Sequence, residues 1–307
     1  MLFVRTKFKD RKLYFSGVKV LLFCLFFVIF NSSAQQDSSW NKRSYWVAGT
    51  NVALGGGSIA LLSAVWYRDY PKSGFHTFDD SKEWMYMDKL GHAYTAYQLS
   101  MVEYAAWRWA RMPRKKAVWL SGGIAWTYQL SVEVLDGFSS EWGFSVADLT
   151  ANTVGSALFV GQQLGWDEQR FQLKFGYKSS PYANIRPNTL GSNFPERLLK
   201  DYNAQSYWLC VAPGTFFKES SFPKWIQIGF GYSIDAKLHG YLNTYTDVNS
   251  GKMFFAKQEY AISLDIDWSQ LPIKKRWLKK VLKPLNTIKI PFPAVFWRNG
   301  VCYFGMF

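Results

Sequence analysis

Cysteine and histidine are scarce, at three residues each in a chain of 307. Cys24 lies inside an apolar run, so only Cys210 and Cys302 follow it. In an oxidising compartment these two can form one disulfide or stay as two buried thiols, and spacing alone leaves both readings open. No cysteine stands just after the apolar run in the manner of a lipoprotein, so lipid attachment is not indicated. Neither a Gly-x-Ser-x-Gly elbow nor a His-Glu-x-x-His pair occurs, which removes the two best-marked hydrolase signatures. Internal repeats, low-complexity tracts and nucleic-acid motifs are also missing, and DNA or RNA is not an expected partner. Acids are few: 22 Asp and Glu stand against 36 Lys and Arg.

What the chain does have begins at its N-terminus. Residues 1 to 19 carry Arg5, Lys7, Lys9, Arg11, Lys12 and Lys19, and Val20 to Phe30 is continuously apolar before Asn31-Ser32-Ser33-Ala34. A basic region, a short apolar core and small residues are the parts of a secretory signal, with cleavage expected after Ala34. Without residues 1 to 34 the chain keeps 30 basic and 21 acidic residues, a net +9. That balance suits anionic headgroups or a polyanionic envelope polymer. Trp, Tyr and Phe make up 19% of the chain, and Trp and Tyr favour surfaces apolar at one end and wet at the other.

Four apolar segments of helical length follow, at Trp46–Tyr67, Met87–Ala110, Ala117–Asp136 and Ser145–Trp166. The first holds Gly55-Gly56-Gly57, so it is either a close-packed helix or two shorter pieces. Short loops between the later three predict antiparallel neighbours and a hydrophobic four-helix bundle over residues 40 to 170. These segments approach the length of a membrane span, yet three of them carry charges or amides. If the signal is cleaved, the basic loop Arg111-Met112-Pro113-Arg114-Lys115-Lys116 would also lie outside, against the positive-inside tendency. A bundle in the periplasm or against a membrane surface is therefore favoured over a four-span inner-membrane protein.

Residues 171 to 206 read as a linker or covering segment with one short helix at Pro195–Tyr202. Beyond, residues 207 to 307 turn to period two, with strands predicted at Tyr207–Val211, Trp225–Ile234, Phe254–Trp268, Thr287–Ile290 and Val301–Phe307. A basic helix is expected at Lys274–Lys283. Ile262, Leu264, Ile266 and Trp268 alternate with Ser263, Asp265 and Asp267, which predicts a strand with one wet face. The last segment resembles the aromatic terminal strand of outer-membrane barrels, but five strands fall short of the roughly eight a closed barrel needs. The expected class is α+β, a helical bundle followed by a small antiparallel sheet.

Polar residues recur at helical spacing within the apolar segments. Gly122, Trp126, Gln129, Glu133 and Asp136 share one face of the third helix. Glu133 and Asp136 fall in its last turn, where the helix dipole disfavours anions by roughly 0.3 to 1 kcal/mol each. Lys89, Arg108, Arg111 or a divalent metal are the cations available to offset them. On the fourth helix Asp148, Asn152 and Gly155 share a face, although Ser145 with Asp148 also matches a capping box, with Phe144 and Leu149 as its staple. Asp88, Lys89 and His92 open the second helix, Asp88 being placed to orient the imidazole or to share an ion with it. The candidate site is thus Asp88, Lys89, His92, Glu133, Asp136, Asp148 and Asn152. His92, Asp88, Glu133 and Asp136 are its candidate metal ligands, and one imidazole among carboxylates suits a hard or borderline divalent ion.

Asp-Lys-x-x-His at 88 to 92, Glu133, Asp136 and Trp-Gly-x-Ser-x-x-Asp-x-x-x-Asn-x-x-Gly from Trp142 to Gly155 resemble the YfiM-type family of envelope lipoproteins. More distantly they are similar to the VanZ-like membrane proteins. Asp201-Tyr-Asn-Ala-Gln-Ser-Tyr-Trp208 looks like the longer, β-tailed members of the first group, while the missing lipoprotein cysteine departs from it. The resemblance implies an envelope location and a shared polar site, but no reaction. Two readings follow: a non-catalytic protein that binds a membrane surface or envelope partner, or a metal-assisted hydrolase or transferase acting on an envelope lipid or glycan.

Overall fold

A computed structural model describes residues 40–65, 71–217 and 222–306. The signal sequence, its Ala34 cleavage point and Cys24 lie outside these residues. Among the described residues the chain is a mixed helix-and-sheet protein, with seven α-helices and a six-stranded antiparallel sheet.

Helix α1 (Lys42–Val65) is continuous, so Gly55–Gly57 does not divide it. Nor does it pack closely there, since a Cβ at Gly56 or Gly57 would meet nothing within 4 Å. Its first half is fastened by Val47, which packs with Trp107, Ala110, Met112 and Ala117, and by Asn51, which donates to Glu103 Oε2 at 2.7 Å.

Helices α2 (Met87–Trp109), α3 (Arg114–Asp136) and α4 (Val146–Gly165) pack more tightly around Tyr97, Val118 and Phe159. The start of α2 meets the end of α3 and the start of α4, so each helix runs antiparallel to the next, as the short loops require, and α2 and α4 run parallel. Gly155 is needed at the α2–α4 crossing: a Cβ there would lie 2.1 Å from the Ala93 carbonyl oxygen. Among the described residues no helix is long and apolar enough to cross a membrane. The four-span inner-membrane alternative therefore has no supporting helix there.

The sheet runs in the order β1 (Phe171–Tyr177), β2 (Gln205–Val211), β3 (Ile226–Asp235), β6 (Lys257–Ile266), β7 (Pro293–Arg298) and β8 (Val301–Met306), every pair antiparallel. A separate hairpin, β4 (Thr244–Thr246) with β5 (Met253–Phe255), lies between β3 and β6. Short helices α5 (Pro187–Leu190) and α6 (Phe194–Lys200) precede β2, and α7 (Arg276–Leu282) precedes β7.

Strands β4 and β7 and helix α5 fall where the sequence predicts no element, Phe254–Trp268 is divided between β5 and β6 at Ala256, and two further segments differ from expectation. Strand β1 occupies a stretch read as linker, because its buried positions are Gln172, Lys174 and Gly176, which give no apolar alternation inward. Thr287–Ile290 forms no strand: a 3-10 turn ends at Thr287, Ile288 makes a single bridge to Phe175, and the strand begins at Pro293.

Another difference concerns which face of the sheet is wet. Ser263, Asp265 and Asp267 are buried, whereas Ile262 is 40% and Leu264 56% exposed. The alternation on β6 is real, but its sense is reversed. The inward face closes over Trp208, Cys210, Ala261, Ala294 and Phe296, together with a paired polar core. There Lys174 Nζ meets Asp265 Oδ2 at 3.1 Å and donates to the Ile266 carbonyl at 2.8 Å. Lys289 donates to the Leu264 and Ile290 carbonyls and sits over the Trp208 ring, and Gln172 donates to Asp267. Buried charges of this kind are tolerable because each is hydrogen-bonded, and Lys174 and Asp265 are also ion-paired.

Candidate functional site

The polar residues predicted from helical spacing converge at one end of the three packed helices. Lys89 Nζ, from the first turn of α2, touches Asp148 Oδ1 at 2.6 Å, Asp80 Oδ2 at 2.7 Å and Asp88 Oδ2 at 3.0 Å. The His92 ring lies one turn further along. Its Nδ1 faces Asn152 Oδ1 at 3.2 Å and Glu133 Oε1 at 3.5 Å, and its Nε2 faces Asp148 Oδ1 at 3.8 Å and Asp88 Oδ1 at 3.9 Å. Gln129, one turn before Glu133 on the same face of α3, donates to Asn152 Oδ1 at 3.0 Å.

Local structure builds this convergence. Ser145 caps α4 by accepting the Asp148 N–H at 3.0 Å, while its own hydroxyl donates to Asp80 Oδ1 at 2.5 Å. Asp148 therefore starts its helix and also belongs to the cluster. Tyr202, between α6 and β2, donates to Asp88 Oδ1 at 2.7 Å and so ties the helices to the sheet. Gly91 leaves room for this junction, since a Cβ there would come within 2.9 Å of the Tyr207 hydroxyl.

Of the predicted residues, Asp88, Lys89, His92, Glu133, Asp148 and Asn152 meet at one place. Asp136 lies half-buried at the end of α3, raising the pKa of Glu133 through its charge, outside the group around Lys89. Among the possible cations, Lys89 is the one in the cluster. Arg108 instead donates to the Met112 carbonyl, and no Lys or Arg pairs with Glu133 among the described residues. Asp80 and Tyr202 were not singled out as site residues. Neither shares a helix with the motif, so helical spacing carries no signal for them; the nearest hint is the acidic pair Asp79-Asp80 shortly before Asp88.

The electrostatics follow from an excess of acid in a secluded place. Burial pushes Glu133 up to about 8, against the lowering effect of His92. Asp148 is also raised, by burial and then by the neighbouring Asp88 charge. Burial acts the same way on Asp88, but His92, Lys89 and the Tyr202 hydroxyl outweigh it and hold that carboxyl below its ordinary value. For His92 burial favours the neutral ring, yet Asp88, Asp148 and Glu133 together raise its pKa. Three buried atoms of the cluster keep no hydrogen-bond partner, Glu133 Oε1, Asn152 Nδ2 and Asp148 Oδ1, the last of which is ion-paired with Lys89. Ligand atoms of Asp88, His92 and Asp148 lie within 4.8 Å of one another, the spacing of a group able to hold a metal ion.

A second feature is the outward face of the sheet. Cross-strand register aligns Leu173, Leu209, Phe230, Ile262, Val295 and Phe304 in one row, and Phe175, Tyr207, Tyr232, Tyr260 and Trp297 in the next. The helices cover the β1 end, where Tyr94 packs on Phe175 and Tyr207 and Leu173 joins the Tyr97 cluster. Further along, Phe230, Tyr260, Ile262, Leu264, Trp297 and Phe304 are between 39% and 74% exposed. A contiguous exposed apolar surface of this kind marks an interaction site.

Comparison with curated proteins and with solved structures returns no match. A protein-family comparison does match: residues 73–161, which hold the whole polar cluster except Tyr202, are similar to the family described as "Predicted periplasmic lipoprotein (DUF2279)".

Proposed function

We propose that the chain is an exported, envelope-associated protein of the YfiM type that binds a membrane surface through its sheet, and that its polar cluster serves structure rather than a reaction. The observation that carries the membrane reading is the inverted sheet, whose polar side chains lie inside, Lys174 with Asp265 among them, while its apolar rows face out. Apolar residues outside and polar residues inside is the arrangement of strands that meet lipid. The Trp and Tyr of the outer rows suit the boundary between headgroups and acyl chains. In the segment that precedes β7, helix α7 and its flanking residues carry exposed Lys274, Lys275, Lys280 and Lys283 along with exposed Trp277 and Val281, a composition that favours anionic headgroups. Lipid attachment is not part of the proposal, since no cysteine lies between Phe30 and Trp40.

A structural role for the cluster rests on Lys89. Its ammonium already meets three carboxylates at 2.6 to 3.0 Å, and Tyr202 links that group to the sheet. Buried ionic groups joined in this way hold elements in register more than they add stability.

Sedimentation with vesicles tests the membrane reading. Purified protein should pellet with vesicles containing anionic phospholipid, and Ile262→Asp or Phe304→Asp should abolish pelleting while leaving the circular dichroism unchanged. Wild-type protein that stays in the supernatant with anionic vesicles at low salt would overturn it.

A further inference from the structure

We propose that Asp88, His92 and Asp148 form a binding site for one divalent transition-metal cation of the zinc or manganese class, with Glu133 orienting the histidine from behind. Nε2 of His92 points toward Asp148 Oδ1 at 3.8 Å and Asp88 Oδ1 at 3.9 Å. These separations are too long for hydrogen bonds. Around an ion with bonds of about 2.0 to 2.2 Å, ligand atoms lie roughly 3.3 to 3.6 Å apart, so the two histidine–carboxylate separations need close by only a few tenths of an ångström, and all three ligand atoms already lie within 4.8 Å of one another.

The other ring nitrogen supplies an independent observation. His92 Nδ1 faces Asn152 Oδ1 at 3.2 Å and Glu133 Oε1 at 3.5 Å. The Glu133 side chain is 1% exposed, and its Oε1 accepts no hydrogen bond. An oxygen acceptor on the far nitrogen is how metal-binding histidines are oriented: Asn152 Oδ1 stands at hydrogen-bond distance, the unpartnered Glu133 Oε1 is next to it, and Nε2 is left free to ligate.

Charge and access agree with this assignment. Asp80, Asp88, Asp148 and Glu133 are gathered around one ammonium and one imidazole. A divalent cation lowers that acidic excess in a place where uncompensated charge is costly. Asp88 meets Lys89 through Oδ2 and faces His92 through Oδ1, which also accepts from Tyr202, whereas Asp148 uses Oδ1 for both, so a bound ion shares or displaces its 2.6 Å contact with Lys89. The Asp88 and His92 side chains are 25% and 21% exposed, so solvent reaches these two side chains, while Asp148 is buried behind them. The set differs from that expected from sequence: Asp148 replaces Asp136, and Glu133 acts through the histidine. One imidazole with two carboxylates suits zinc, manganese or iron(II) rather than a thiolate-seeking metal.

Metal titration of purified, chelator-stripped protein tests the site. With Zn²⁺ or Mn²⁺ as the probe, wild type should take up one equivalent with a rise in melting temperature. Pulsed electron paramagnetic resonance of the Mn²⁺ form should show coupling to one imidazole nitrogen, and this should persist in a His76→Gln/His239→Gln double variant. His92→Gln should bind at least tenfold more weakly and lose the coupling. Glu133→Gln should bind about 10- to 100-fold more weakly while keeping the coupling. Failure of folded wild type to take up one equivalent would overturn the proposal, as would absence of nitrogen coupling or its loss in the double variant. Unchanged affinity in a folded His92→Gln protein would do the same.

Discussion

Replacing Glu133 by Gln should remove a pH dependence that the buried acid imposes on stability. The carboxyl is 1% exposed, and burial raises its pKa from 4.5 in the ordinary state to about 8 in the fold. An acid whose folded pKa is raised favours its protonated form, so its stabilising contribution is complete below pH 4.5. It is lost as pH climbs from 4.5 through 8. By pH 7 the loss is about 3 kcal/mol, from ~2.5 pH units at 1.36 kcal/mol each. In chelator-treated protein, denaturant titrations at pH 5 and pH 8 should show wild type weaker at the higher pH, and Glu133→Gln should flatten most of that difference. At pH 8 the variant should be the more stable protein. A fixed Lys or Arg beside Glu133 would give the opposite sign, with the variant weaker by about 3 to 5 kcal/mol. If the metal-free variant loses more stability at pH 8 than at pH 5, Glu133 works as an ionised partner of His92 even without a bound cation and the reasoning here is refuted.

Lys89→Met should destabilise the protein by about 3 to 5 kcal/mol at pH 7, because it leaves Asp80, Asp88 and Asp148 crowded around an uncharged group. Denaturant titration at pH 7 and pH 4 checks this, and the loss should shrink at the lower pH as the carboxylates protonate. Of the two described cysteines, both free, exposed Cys302 should react with a maleimide in the native protein, while Cys210 should react only after unfolding. Burial raises the Cys210 thiol and excludes reagent, so peptide mapping before and after denaturant separates the two.

Helical spacing made much of the polar cluster legible. Asp88 with His92 and Asp148 with Asn152 are four apart, as are Gln129 and Glu133, so each pair had to share a helix face. Antiparallel packing through short loops then brought the three faces together. Asp136 has the same local credentials as Glu133 but sits one step further round at the helix end. Asp80 and Tyr202 reach the cluster from a loop and from the segment before β2, and such tertiary approaches leave no periodic trace.

For the sheet, composition and period two determined by themselves that Trp225–Ile234, Phe254–Trp268 and Val301–Phe307 hold strands, and that the second of these has unlike faces. They also determined that three amphipathic helices would carry acids into a shared interior, because 3.6-residue periodicity acts along a single segment. Which sheet face is covered belonged to the tertiary structure, since alternation states a difference between faces and not its direction. Lys174 meeting Asp265, Lys289 lying over Trp208 and Gln172 reaching Asp267 join strands β1, β2 and β6 with the segment before β7, and those pairings make the polar face the inside. The apolar rows face outward because the helices, held by Tyr94, Tyr97 and Tyr202, reach only the β1 end of the sheet.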